Sequence, residues 1–250
     1  MLMKLSDQDY FNSPAISQSD LKEILKSPKH FYHKKFVSKE EPTFAMRLGS
    51  AVHMAVLEPD EFNKKYICTD LDKRTKAFKD AAYNKIALSR DESETVLGIK
   101  SALSQSEEIN NLLKDAHIEH ALFWKENGID CRAKFDAVSD KHKLVIDLKT
   151  TESAYWNDFR QSIIKYQYDF QCAFYSKGLS VIGKPYDFLF IAVEKKPPYE
   201  FSLIKISQDD LITASQIVDG CISTVKICME KNTWPGYPRM ISTISLTGEL

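Results

Sequence analysis

Two short segments near the middle of the chain alternate apolar and polar side chains with a period of two. They cover residues 132–138 and 144–150, and the polar stretch 139–143 separates them. A period of two is typical of a half-buried strand, and a polar link between two such strands is typical of a hairpin turn. The sequence therefore predicts an antiparallel hairpin, which restricts the chain to folds that contain a sheet.

The register of this hairpin follows from a turn centred near Lys141 and His142. It places Asp136 directly opposite Asp147, with Lys149 two residues further along the same face. Two carboxylates that face each other about 5 Å apart at Cβ repel, and aspartate is depleted in strands. The opposite face collects apolar side chains for a core: Phe135, Ala137, Leu144, Ile146 and Leu148.

A metal ion between the two carboxylates is the simplest source of compensating charge. Oxygen ligands favour Mg²⁺ or Mn²⁺, and Lys149 beside them could orient an attacking water or stabilise developing negative charge. The residues alone leave a second interpretation open. In that interpretation the face is solvated, and Lys149 only neutralises Asp136 and Asp147.

These residues also resemble a family. Phe135-Asp136 followed by Asp147-Leu148-Lys149 on the next strand is similar to the PD-(D/E)xK nuclease motif, with Phe135 in place of its proline. Further segments resemble the RecB-like branch of that superfamily, and in their order they are most similar to the C-terminal nuclease domain of exodeoxyribonuclease VIII (RecE) and its phage relatives. They are residues 16–21, 27–31, 48–53, 171–175 and 234–237.

The resemblance implies further residues of the site. The RecB-like branch carries a metal-binding histidine on a helix after a glycine, and Gly49 and His53 match that pattern, although the apolar neighbours of His53 equally suit a core helix. Gln171 and Tyr175, four residues apart on one helix face, match its Q-x-x-x-Y helix and could contact a scissile phosphate or the lysine, although an ordinary boundary helix would equally use them. The implied catalytic residues are Asp136, Asp147, Lys149, Gln171 and Tyr175. The implied metal ligands are His53, Asp136, Asp147 and the backbone carbonyl of Leu148, with Glu119 as an additional candidate that equally suits an exposed strand position.

The function that the resemblance implies is a Mg²⁺-dependent exodeoxyribonuclease, with Mn²⁺ as a substitute. Its substrate would be the ends of linear double-stranded DNA, degraded 5′ to 3′ to leave 3′ overhangs for recombination. We expect the chain to form a ring-shaped homo-oligomer such as a tetramer. We expect its partner to be a single-strand annealing protein of the RecT type. Two alternatives stay open: a structure-selective or single-strand endonuclease, and a non-catalytic DNA-binding module.

The resemblance implies one α/β domain, with helices around a central mixed sheet of the restriction-endonuclease type, and length and composition are compatible with it. A chain of 250 residues, 43% of them hydrophobic, can bury a substantial core. We expect a mainly helical part over 1–115 that carries His53, a catalytic sheet and helix over 116–206, and a C-terminal helix and tail over 207–250. Within these parts the patterns predict helices over about 43–57, 76–88, 94–104, 156–179 and 208–231, and a buried strand over 186–194.

Charge, hydropathy and cysteine spacing narrow the remaining function classes. A formal net charge of -1 means that DNA binding must come from local basic patches. No apolar run approaches the roughly 18 residues of a membrane span, and the first residues lack the apolar stretch of a signal peptide, so we expect a cytoplasmic protein of a bacterial or phage-infected cell without membrane contact. The five cysteines show no C-x-x-C spacing, so we expect no iron-sulfur cluster.

Overall fold

A computed structural model of the chain describes residues 1–38, 43–69 and 74–241, so residues 242–250 of the predicted tail lie outside it. Its helices are α1 (Asp7–Asn12), α2 (Gln18–Leu21), α3 (Pro28–Tyr32), α4 (Phe44–Leu57), α5 (Pro59–Lys65), α6 (Lys76–Ala81), α7 (Arg90–Ser104), α8 (Glu107–Leu113), α9 (Trp156–Tyr166), α10 (Tyr168–Val181) and α11 (Gln208–Lys231). Its strands are β1 (Met3–Lys4), β2 (Tyr66–Cys68), β3 (Ile86–Leu88), β4 (His117–Glu126), β5 (Ile129–Ser139), β6 (Leu144–Thr151), β7 (Asp187–Glu194) and β8 (Phe201–Ile204). A 3-10 segment, Lys22–Leu25, extends α2, and a π segment, His33–Val37, extends α3.

Six strands form one mixed sheet in the order β1-β4-β5-β6-β7-β8. Neighbours in this sheet are antiparallel, except that β6 and β7 are parallel. Parallel neighbours need a crossover connection, and α9 and α10 supply it. The predicted α/β fold around a mixed sheet is confirmed.

The sheet separates two hydrophobic cores. The α10 core lies between the sheet and helices α10 and α11, and the α4 core lies between the sheet and helices α4 and α7. In β7, Phe188 and Phe190 enter the α10 core while Leu189 and Ile191 enter the α4 core. A strand that is buried on both faces reads as a continuous apolar run, which explains why β7 was predictable from the sequence.

Local capping accounts for several helix starts. Thr43 accepts a hydrogen bond from the Met46 backbone at the start of α4, and Ser27 caps α3 just before Pro28. The helix predicted over 43–57 is confirmed, and Pro59 directly begins α5.

The helix predicted over 76–88 is wrong in its second half. Helix α6 ends at Ala81, and Asn84 then takes the left-handed φ of 59°, which a continuing helix excludes. The chain resumes as β3, which pairs in parallel with β2 and buries Leu88 in the α4 core. The pairing partner lies about twenty residues upstream, so tertiary contact overrides the local pattern here.

Helix α11 coincides with the predicted C-terminal helix. By length and composition alone it is the one helix within residues 1–38, 43–69 and 74–241 that could cross a membrane. This is weak evidence for a membrane span, because Val218, Ile222 and Val225 are buried in the α10 core and a core helix passes the same test. Cys221 and Cys228 also lie buried on this helix as free thiols.

Candidate metal and nuclease site

The β5–β6 hairpin forms in the predicted register. Ala137 pairs with Ile146, and Val138 pairs with Val145. The same register places Asp136 opposite Asp147, but the regular pairing has ended at that point. The Asp136 carboxylate instead accepts a hydrogen bond from the Leu148 backbone N–H at 2.8 Å.

The alternation of β5 breaks at Asp136. Phe135 is buried in the α10 core, whereas Ala137, two residues on, is buried in the α4 core. The prediction that Phe135 shares a face with Ala137 is therefore wrong. Across the strand pair, Glu119 has a φ of 54°, a conformation that non-glycine residues adopt only with strain and that concentrates at functional sites.

Asp147 is buried on the face of the sheet that is turned toward α10. The Gln171 amide Nε2 donates a hydrogen bond of 2.6 Å to its Oδ1, and the Lys149 ammonium forms a salt bridge with its Oδ2. Among the described residues, Oδ2 nevertheless has no partner in hydrogen-bond geometry. Burial raises the pKa of Asp147, the Lys149 charge lowers it and the nearby Asp136 charge raises it, with a net upward shift.

His53 and Glu119 approach Asp136 from the other side. His53, on α4, places its Nδ1 at 3.2 Å from Asp136 Oδ2. Burial lowers the pKa of His53, but the Asp136 charge and hydrogen bond raise it, with a net upward shift. Burial raises the pKa of Asp136, but His53, followed by the Lys149 charge and the Leu148 hydrogen bond, lowers it, with a net downward shift. Burial, followed by the Asp136 charge, raises the pKa of Glu119, which Lys134 holds at 2.7 Å.

The donor atoms of this group suit a divalent cation. One ligand atom each from His53, Glu119 and Asp136 lies within 4.8 Å of the others. Carboxylate oxygens suit Mg²⁺ and Mn²⁺, and imidazole suits the transition metals. Asp147 is outside this set of three, but its Oδ2 is the buried acceptor that lacks a hydrogen bond, and it borders the same cavity of about 640 Å³. The residues therefore fit a divalent metal.

The remaining predicted residues border the same cavity, although not all make the predicted contacts. Gln171 binds Asp147, and its contact with a scissile phosphate stays a prediction. Tyr175 is buried, and its ring lies 4.9 Å from that of Phe135. Leu148 borders the cavity, and the contact found for its backbone is the N–H bond to Asp136.

Three residues near the site were not predicted from the sequence. Lys134 bridges Glu119 and Asp7 at 2.7 Å each, which connects α1 to the site. Tyr168 lies beneath the Lys149 ammonium, with 5.0 Å from Nζ to the ring centre. Spacing could have indicated two of these three: Lys134 lies two residues before Asp136 on a strand, and Tyr168 lies three before Gln171 on a helix.

Known families and solved structures include proteins that are similar to this chain. Residues 17–246 match the model of a family described as a PDDEXK-like domain of unknown function (DUF3799). The chain belongs to this PDDEXK-like family. The predicted membership of the PD-(D/E)xK superfamily is confirmed, and it supports a nuclease that uses a divalent metal.

Solved structures add evidence on the fold of this PDDEXK-like chain. A crystal structure from Eubacterium rectale, described as a "Putative exonuclease", is similar with a TM-score of 0.70 and 16% sequence identity, over 98% of this chain and 97% of that one. The crystal structure of SSO0001 is less similar, with a TM-score of 0.37 and 13% sequence identity over 87% of this chain and 81% of that one. A search of curated proteins finds no match.

Proposed function

We propose that this chain is a metal-dependent exodeoxyribonuclease that hydrolyses phosphodiester bonds of linear double-stranded DNA. The observation that carries the proposal is the convergence of Asp136, Asp147 and Lys149 with His53 and Glu119 on one cavity, from elements far apart in the sequence. Membership of a PDDEXK-like family supports the same chemistry.

The metal would be Mg²⁺, with Mn²⁺ as a substitute. His53, Glu119, Asp136 and Asp147 would hold it, with the backbone carbonyl of Leu148 as a further ligand. When bound, such an ion supplies a positive charge that polarises a phosphate and acidifies a water molecule.

Lys149 would supply the positive charge that the protein itself directs at the substrate. Burial lowers the pKa of its ammonium, but the carboxylates of Asp147 and Asp136 raise it by more, so Lys149 keeps its proton at neutral pH. A protonated lysine can donate a hydrogen bond to the attacking water or to a phosphate oxygen, and it stabilises charge that develops in the transition state. It is therefore suited to orientation and charge stabilisation and unsuited to acting as a general base.

Gln171 would act through Asp147. Its hydrogen bond fixes one carboxylate oxygen, and the other contacts the Lys149 ammonium. Groups that orient a metal ligand in this way commonly change metal affinity when they are removed.

The finer points of the proposal rest on the resemblance of the sequence to RecE and its phage relatives. They are attack at duplex ends, 5′ to 3′ polarity, 3′ overhangs for recombination or repair, a ring-shaped homo-oligomer such as a tetramer, and a RecT-type annealing partner. The proposed location is the cytoplasm of a bacterial or phage-infected cell.

The experiment that tests this function measures the release of acid-soluble nucleotides from 5′-labelled linear duplex DNA with Mg²⁺ or Mn²⁺. We expect release by the wild type and none by Asp147→Ala or Lys149→Ala. Lys125→Ala is the matched control, because Lys125 pairs with Asp130 at an exposed position away from the cavity. The order of label loss gives polarity.

Closed circular duplex separates the two nuclease classes, because an exonuclease needs an end. Cleavage of the circle would favour the endonuclease alternative. DNA binding without hydrolysis under either metal would refute the enzyme and leave the binding module.

A further inference from the structure

A second cavity adjoins the proposed catalytic one. It has a volume of about 300 Å³, and Thr150 and Tyr168 border both cavities. It is also bordered by Tyr166, Lys165 and Lys195, and by two acidic residues, Glu152 and Asp158. The two cavities are therefore adjacent, and Tyr168 lies between the proposed site and Tyr166.

Two tyrosine rings lie side by side in this region. The Tyr166 and Tyr168 ring centres are 5.7 Å apart and their planes differ by 27°, which is a stacked arrangement. Residues two apart on a continuous helix do not face each other. The rings meet because Gln167, between α9 and α10, adopts a left-handed φ of 53°. A non-glycine residue pays a conformational cost for that geometry.

The outer ring of the pair is open to solvent. Tyr166 is 51% exposed, whereas Tyr168 is packed beneath Lys149 and against Phe159 and Phe190. An exposed aromatic ring that is supported from behind by a second ring is the kind of surface on which nucleic-acid bases stack. Stacking does not depend on base identity, since every base has a π face.

A cation lies over the face of this ring. The Lys165 ammonium is 5.2 Å from the centre of the Tyr166 ring. Within the described part of the chain, no carboxylate forms a salt bridge with Lys165, whereas Lys195 on the far wall pairs with Glu152. The ammonium contacts the ring, and a phosphate group can draw this long side chain away from the ring face.

We infer that Tyr166, supported by Tyr168, is a stacking platform for an unpaired base of the strand under cleavage, and that Lys165 contacts the phosphate of that nucleotide. This inference rests on the proposed nuclease function and refines it. A base can stack on Tyr166 only after it leaves the duplex, so the enzyme binds an end whose last nucleotides are separated.

The test uses the full chain with Asp147→Asn, which keeps the DNA intact, in the presence of Mn²⁺. The probes are two short duplexes, one with unpaired nucleotides at the 5′ end and one at the 3′ end, each with 2-aminopurine as the unpaired base. Fluorescence reports stacking of that base, and anisotropy reports the dissociation constant. Tyr166→Ala, Tyr166→Phe and Lys165→Ala are added to this background, and Tyr83→Ala, another exposed tyrosine outside both cavities, is the control.

We expect quenching on one of the two probes. On that probe Tyr166→Ala should remove the quenching and weaken binding by about 5- to 150-fold, the equivalent of losing one base–aromatic stack. Tyr166→Phe and Tyr83→Ala should behave like the parent. Lys165→Ala should leave the quenching in place and reduce the slope of log affinity against log salt by about 0.7, the value for one phosphate contact on a single strand.

The stacking platform is refuted if the parent shows no quenching on either probe, or if Tyr166→Ala quenches and binds like the parent. Hydrolysis by the wild type, measured in parallel, separates the two proposals. Wild-type hydrolysis without quenching would reject the platform and keep the nuclease. A wild type that neither binds nor hydrolyses the DNA would reject both.

Discussion

Replacing Gln171 by leucine should reduce both the stability of the protein and its affinity for metal. The side chain is buried, and its amide donates a 2.6 Å hydrogen bond to Asp147 Oδ1. Asp147 Oδ2 has the Lys149 ammonium as its partner, so the substitution leaves only Oδ1 of this buried carboxylate without one. Leucine has a similar volume, so the change removes the donor without opening a large cavity.

The expected loss follows from the charge on the acceptor. A hydrogen bond to a charged group contributes about 1.5–3 kcal/mol to the free energy of unfolding. For a chain of this length, about 2 kcal/mol corresponds to a fall of roughly 4–8 °C in melting temperature. Metal affinity should fall about 10- to 100-fold, because Asp147 is no longer fixed in one orientation.

Calorimetry gives both quantities, through thermal unfolding without metal and Mn²⁺ titration of the folded protein. Gln216→Leu is the control, since Gln216 is exposed on α11, and it should change neither. A Gln171→Leu protein that melts within about 1 °C of the wild type and binds Mn²⁺ as tightly would contradict the role assigned to this hydrogen bond.

Three further outcomes are expected. Mn²⁺ at a hundred times its dissociation constant should add about 2.7 kcal/mol to the free energy of unfolding, and Asp136→Ala should abolish this effect. The metal binds only neutral imidazole, and the pKa of His53 is raised above 6.5. Metal affinity, measured by titration, should therefore increase as the pH rises above that value. Gly49→Ala should stabilise the protein by about 0.5–1 kcal/mol, since an added Cβ meets no described atom within 4 Å. The same substitution should slow DNA hydrolysis, because the added methyl group enters the catalytic cavity. Gly220→Ala, which is equally unobstructed, is the control and should stabilise α11 and leave hydrolysis unchanged. Burial and the nearby Lys149 charge lower the pKa of Lys22 from 10.5 to about 8, so the protein should gain stability as the pH rises from about 8 to 10.5. At neutral pH, Lys22→Gln should be more stable than the wild type by at most about 3 kcal/mol. Chemical denaturation should show this difference disappearing near pH 10.5.

The hairpin and its acidic pair were predictable because the residues that determine them lie close together in the sequence. Alternation and turn position set the register that brings Asp136 opposite Asp147, and both strands lie within a short stretch of chain. Helix α11 and strand β7 were predictable for a similar reason, since each carries an uninterrupted pattern.

The rest of the site depends on contacts between distant segments. His53 reaches Asp136 from a helix more than eighty residues upstream, and only the family resemblance indicated it. The change of face after Phe135 occurs where the neighbouring strand has Glu119 in a left-handed conformation, and the sequence of β5 alone does not indicate it. Strand β3 likewise exists because β2 lies beside it.

The change of face at Asp136 also affects how the protein would lose activity. The α4 core positions His53, and the α10 core positions Gln171, so the donor groups are in register only while both layers remain docked on the sheet. The rate of hydrolysis would then depend on the contact between the two layers, whereas the amount of secondary structure would not. In a denaturant titration, hydrolysis should be lost at the concentration where either layer loosens, ahead of the helical signal in circular dichroism.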